Sequence, residues 1–233
     1  MSGKKNIAGA LPVFLFFSLT TALLAQEKEP PVVSAPAGKA PSDAVVLFDG
    51  KDLSGWTYKD GRPAGWIVAD GAMTVNGGHI MSKKEFGDHQ LHVEFATPSP
   101  ATGDGQARGN SGVYLQGMYE LQVLDSYENK TSVKGMCGAI YQQYTPLVNA
   151  SRKPGEWQTY DIIFHAPKFD SAGNVIEKAI ITVLYNGVLI LDHVSISPTP
   201  GRLKENESPR GPVFLQDHRH PVKYRNIWVR ELK

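Results

Sequence analysis

Residues 180–194, Ile180-Ile181-Thr182-Val183-Leu184-Tyr185-Asn186-Gly187-Val188-Leu189-Ile190-Leu191-Asp192-His193-Val194, decide the fold class. Two β-branched, apolar runs flank Asn186-Gly187, and both turn positions favour positive φ, so the stretch predicts an antiparallel hairpin with a two-residue turn. Outward from it the same logic repeats. In Leu91-His92-Val93-Glu94-Phe95 the apolar side chains fall on one face and His92 and Glu94 on the other, as in a half-buried strand. Ser111–Gln116 buries Val113 and Leu115 and turns Tyr114 and Gln116 outward. Tyr119–Val123 continues the pattern with Glu120 and Gln122 outward, the chain turning at Gly117-Met118 between them. Further strands are expected at Thr159–His165, Val213–Gln216 and Tyr224–Arg230. Strands punctuated by 23 Gly and 16 Pro predict an all-β fold of two packed antiparallel sheets.

The 233 residues carry 24 Lys+Arg against 23 Asp+Glu. With no basic cluster, this balance excludes broad electrostatic attraction to nucleic acid. Lys4 and Lys5 precede an apolar stretch from Leu11 to Leu24 that ends at Leu23-Leu24-Ala25. Residues 1–25 therefore read as a cleaved signal peptide, placing the mature protein in the periplasm or outside the cell and off the membrane. Residues 26–43, rich in Pro, Ala, Lys and Glu, read as a disordered spacer. Residues 44–233 read as one domain, with folding expected to begin at Val45. Cys137 is the only cysteine, so no intramolecular disulfide forms, and without an activating neighbour it reads as a small buried apolar residue. Burial is also expected for Trp66 and Trp157.

Several motifs come in a familiar order: Leu47-Phe48-Asp49-Gly50-Lys51-Asp52-Leu53-Ser54-Gly55-Trp56, Gly109-Asn110-Ser111-Gly112-Val113-Tyr114-Leu115, and Gly155-Glu156-Trp157-Gln158-Thr159-Tyr160-Asp161. Gly211-Pro212-Val213-Phe214-Leu215-Gln216-Asp217-His218 and Tyr224-Arg225-Asn226-Ile227 complete the set. From about Val45 to Lys233 the chain resembles the 3-keto-disaccharide hydrolase domain family. The resemblance implies a concanavalin A-like lectin/glucanase sandwich, or jelly roll, that binds sugar on the outward face of one curved sheet. The carbohydrate-contacting set on that face is then Asn110, Tyr114, Gln116, Gln122, Asp125, Tyr141 and Gln216, since Tyr and Gln supply a ring edge and paired donors and acceptors for hydroxyls. Asp125 has a second reading, as the cap of a turn with Ser126.

A conventional glycosidase sets two carboxyls roughly 5 to 10 Å apart across the scissile bond. Glu120 and Asp125, five residues apart on an extended strand, would point to opposite faces about 16 Å apart. A 3-keto sugar, the substrate that the resemblance implies, relaxes that requirement. Its ketone acidifies the hydrogen at C2, so one base, donors at the C3 oxygen and one acid for the departing oxygen suffice. Glu120 and His218 are the nominated acid/base pair in either order, with Arg108 as oxyanion or hydroxyl clamp; Arg108 also reads as a loop pin. The reaction would be hydrolysis, or elimination followed by hydration. The alternative is a carbohydrate-binding sandwich without turnover. His218-x-His220 is only a partial chelate, so no metal and no cofactor is expected, although a divalent ion would also stabilise an enolate. Oligomeric state has no signature in the sequence.

Overall fold

The structure, a computed structural model, describes residues 29–232 together with Met1 and Gly3. The segment read as a signal peptide lies outside the described residues apart from Met1 and Gly3. From Glu29 to Ala44 the chain carries no strand. Within it, Ser42 N donates to Ser34 O at 2.8 Å and Asp43 pairs with Arg230 at 2.7 Å.

Fifteen strands follow in order: β1 (Val45–Phe48), β2 (Trp56–Thr57), β3 (Ile67–Ala69), β4 (Ala72–Thr74), β5 (Ile80–Phe86), β6 (His89–Ala96), β7 (Ser111–Leu115) and β8 (Tyr119–Val123). They continue as β9 (Gln158–His165), β10 (Lys168–Phe169), β11 (Val175–Glu177), β12 (Ala179–Tyr185), β13 (Val188–Ile196), β14 (Gly211–Leu215) and β15 (Lys223–Glu231). Eight of them form one antiparallel sheet in the order β13-β12-β9-β6-β15-β4-β3, with β1 also paired to β15. Five form the second, β2-β5-β14-β7-β8, and β10-β11 is a separate two-stranded ribbon. The expected two-sheet sandwich is what folds.

Period-two alternation builds the core. Leu91, Val93 and Phe95 of β6, Tyr160, Ile162 and Phe164 of β9 and Ile181, Val183 and Tyr185 of β12 are all fully buried. They face Val113, Leu115, Leu121, Val123, Val213 and Leu215 from the smaller sheet. The β12–β13 hairpin turns at Asn186 (φ 52°) and Gly187 (φ 79°), as the Asn-Gly pair predicts. The turn between β7 and β8 sits one residue earlier than expected. Gln116 (φ 52°) and Gly117 (φ 66°) take the left-handed positions, and Met118 N donates to Leu115 O at 2.9 Å. Trp66 is buried as expected, whereas Trp157 is only half-buried because the Arg225 guanidinium, 4.0 Å from its ring centre, covers it in place of core packing. Cys137 is buried, its Sγ 3.0 Å from the Tyr160 hydroxyl, and burial pushes its thiol above the usual range.

Buried hydroxyls tie the two sheets together. Tyr160 of β9 donates to Gln122 O of β8 at 2.7 Å. Tyr224 of β15 shares a hydrogen bond with Ser111 Oγ of β7 at 2.7 Å, and Ser111 Oγ also lies 2.6 Å from Gln216 O. These bonds join the large sheet to the strands that carry the polar outward residues, so they set the position of β8 as well as its stability. Tyr160→Phe should lower unfolding free energy by about 1–2 kcal/mol, because Gln122 O loses its cross-sheet donor. Urea unfolding of the variant against the wild type measures it.

Candidate functional site

The outward face of β7 and β8 is not exposed. Every residue of both strands is buried, because neighbouring segments close over the edge of β8. Gln122 N donates to Ala139 O at 2.9 Å, Tyr141 N to Glu120 O at 3.2 Å, and Glu120 N to Thr199 Oγ1 at 3.0 Å. Between these segments and the sheet lies a hollow of about 210 Å³. That is below the ~300–1,000 Å³ of drug-sized sites and on the scale of one sugar ring. Glu120, Tyr114, Gln122, Asn110, Tyr141, Gln216 and His218 line it, joined by Gln106, Pro200 and Gly201.

Glu120 lies at its floor and is the one carboxyl in the lining. Burial pushes its carboxyl up to about 7, against the lowering effect of the Tyr114 hydroxyl, which donates to Oε2 at 2.8 Å. Gly112 leaves room for Oε1: a Cβ there would sit 2.7 Å from that oxygen. The Tyr114 ring packs edge-on against Phe214 at 4.8 Å, and its hydroxyl accepts from Gln216 Nε2 at 3.3 Å. On the other wall, Gln122 Nε2 donates to Asn110 Oδ1 at 3.1 Å and to Gln106 Oε1 at 3.3 Å. Gln106 is itself held by Thr131 and the Gly135 carbonyl. Gln122 Oε1 and Gln216 Oε1 are buried with no partner. Two unused acceptors in an amide-lined hollow suit a ligand that offers hydroxyl donors.

His218 stands exposed while lining the hollow, its ring parallel to that of His220. Its loop is fixed through Asp217, whose carboxylate accepts from Gly78 N and Arg219 N at 2.7 Å each, while Asp217 N donates to His79 Nδ1 at 2.9 Å. Among the described residues no group of three or more His, Cys, Asp or Glu side chains is arranged to hold a metal ion.

Three expected contacts lie elsewhere. Arg108 does not line the hollow: its Nε donates to Asp125 Oδ2 at 2.7 Å, and the Asp125 side chain is only 1% exposed, so the guanidinium is held as the partner of a buried carboxylate. Asp125 is likewise outside the lining, and its Oδ1 accepts from Tyr127 N, the turn-capping reading. Gln116 belongs to the turn. Its Nε2 donates to Phe86 O and Pro209 O on the far side, because the positive φ breaks the alternation that put it beside Tyr114. Gln106 and the Thr199–Gly201 segment escaped the sequence reading because alternation assigns faces only within strands. Gln106 sits in a short 3-10 turn, and residues 199–201 reach the site from about 80 positions away.

Two predictions follow from this wiring. Arg108→Ala strands the buried Asp125 carboxylate and should lower stability by about 3–5 kcal/mol, read by denaturant unfolding. Glu120 binds its proton more tightly folded than unfolded, so between about pH 4.5 and 7 its contribution to stability falls as pH rises. Glu120→Gln should therefore melt above the wild type at pH 8, with the gap closing towards pH 4.5 in thermal scans.

Comparison with known proteins agrees with this architecture. A crystal structure of a proposed glycosyl hydrolase from Parabacteroides distasonis ATCC 8503 is 47% identical, with a TM-score of 0.84 over 88% of this chain and 93% of that one. A second protein from that organism, also a proposed glycosyl hydrolase, is 18% identical at TM-score 0.61, covering 82% of this chain and 94% of its own, and shares the fold. No match is found among curated proteins. A model of the 3-keto-alpha-glucoside-1,2-lyase-like domain matches residues 43–230. With that match running through every strand of the sandwich but the last residue of β15, the chain belongs to the 3-keto-alpha-glucoside-1,2-lyase-like domain family.

Proposed function

We propose that the protein cleaves 3-keto-glycosides, such as 3-keto-disaccharides, by abstracting the proton at C2 of a sugar ring held in the hollow. The observation that carries this reading is the single carboxyl of the lining, Glu120, raised to about 7 by burial and sharing the hollow with His218. One carboxyl cannot divide the nucleophile and acid roles of a double-displacement glycosidase. A carboxylate whose conjugate acid has a pKa near neutrality is a better base than an ordinary one and is still half ionised at working pH.

Glu120 takes the C2 proton, and the electron pair moves into the enolate with charge on the C3 oxygen. The ketone then re-forms, the pair becomes a C1=C2 double bond, and the C1–O bond breaks. His218 protonates the departing oxygen. Water adds across the double bond, its oxygen to C1 and a proton to C2, so the sum is hydrolysis. Charge at the C3 oxygen meets neutral donors, the Tyr141 hydroxyl and the Gln216 amide, because Arg108 is committed to Asp125. The export signal read at the N-terminus puts this chemistry outside the cytoplasm.

Incubation with a 3-keto-disaccharide should release a monosaccharide, with kcat/KM rising through an apparent pKa near 7. Glu120→Gln should lower kcat by about 100-fold or more while calorimetry still detects the bound sugar. Binding without release by the wild type would favour a carbohydrate-binding module, and unchanged turnover in the variant would remove Glu120 from the mechanism.

A further inference from the structure

A second hollow, of about 400 Å³, opens at the end of the sandwich where β6 and β9 meet β4 and β15. Thr97, Pro98, Ser99, Trp157, Pro221 and Lys223 are its chemically distinctive walls. Thr97 is only 2% exposed, and its Oγ1 is buried with no hydrogen-bond partner. An idle buried hydroxyl costs about 1–3 kcal/mol unless something in the cavity meets it. Its placement is not loose: Thr97 O accepts from Gly155 N at 2.9 Å, and its Cβ is packed so closely on Gly109 that a Cβ there would come within 3.1 Å.

Trp157 is equally constrained. The Arg225 guanidinium stacks on the indole at 4.0 Å from the ring centre, and Arg225 is itself held by Glu94 at 2.6 Å. Asn226 Nδ2 donates to the other Glu94 oxygen at 2.7 Å. The ring is thus fixed before any ligand arrives, which reduces the ordering cost of binding. No carboxyl lies in the lining, so nothing there favours a cation.

We propose that this hollow is an accessory binding site for a neutral saccharide, separate from the Glu120 site. A sugar ring presents C–H surface to the indole and the prolines and hydroxyls to its surroundings. A hydroxyl can also both donate to and accept from Thr97 Oγ1, which a carboxylate cannot, while Ser99 and the Lys223 ammonium serve the remaining hydroxyls. Two connections contribute to both hollows. The segment from Thr97 to Asn110 runs from one hollow to the other, and so does the segment from Gln216 to Pro221. The assignment does not depend on whether Glu120 performs chemistry.

Calorimetric titration of the full chain with maltotetraose and with cellotetraose tests it. At least one should bind, with no change in Kd between 50 and 500 mM salt. Thr97→Val, which keeps shape and removes the hydroxyl, should weaken binding by about 2- to 10-fold. Its melting temperature in the absence of sugar should be equal or higher, because no idle hydroxyl remains. Trp157→Ala should abolish binding. The proposal is overturned if neither oligosaccharide binds, if Thr97→Val leaves Kd unchanged, or if Trp157→Ala still binds as the wild type does, which would place the sugar in the first hollow.

Discussion

Everything distinctive about this protein depends on burying the outward face of β7 and β8. In most sandwiches a polar outer face stays wet and its side chains keep ordinary chemistry. Here segments 138–141 and 199–201 close the edge of β8 by backbone and hydroxyl hydrogen bonds, so Tyr114, Glu120 and Gln122 are as buried as the core residues between them. Desolvation then acts on one carboxyl that has a single neutral donor beside it, and Glu120 rises to about 7. The same enclosure limits the hollow to the size of a single ring.

Charged groups divide between two tasks. Arg108 and Asp125 satisfy each other in a nearly dry setting, and their role is to hold the loop that presents Asn110. Glu120 is left without a cationic partner, which is poor for stability and raises its proton affinity. Had Arg108 faced Glu120, the carboxyl would be held low and would make a weaker base. Gly112 contributes to this arrangement by its missing Cβ, since any side chain there would press on Glu120 Oε1.

The hydroxyls between the sheets extend that logic into the core. Tyr160 and Tyr224 each reach from the large sheet to the strands beneath the hollow, at Gln122 O and Ser111 Oγ. The floor of the site is therefore positioned by the bulk of the fold rather than by its own loops. Family membership gives the sandwich a carbohydrate-active context, and the lone carboxyl narrows the chemistry that fits it.

The sequence by itself determined eight of the strands, β6–β9 and β12–β15, and which of their faces look inward; β1–β5, β10 and β11 carry too short or too irregular an alternation to be read. Period two is a local property, and it places Leu91, Val93 and Phe95, or Val113 and Leu115, without reference to the rest of the chain. It also put Tyr114, Glu120 and Gln122 on one face, and the hairpin at Asn186-Gly187 where positive φ is cheapest. Alternation failed at Gln116, where the turn came one residue early, and it had nothing to say about Gln106 or Gly201, which lie outside strands. Only the tertiary structure decided what covers that face, that Arg108 belongs to Asp125, and that Trp157 lies under a guanidinium instead of in the core. Those outcomes rest on contacts between segments far apart in the chain, whose energies depend on burial and distance, and neither is encoded in local spacing.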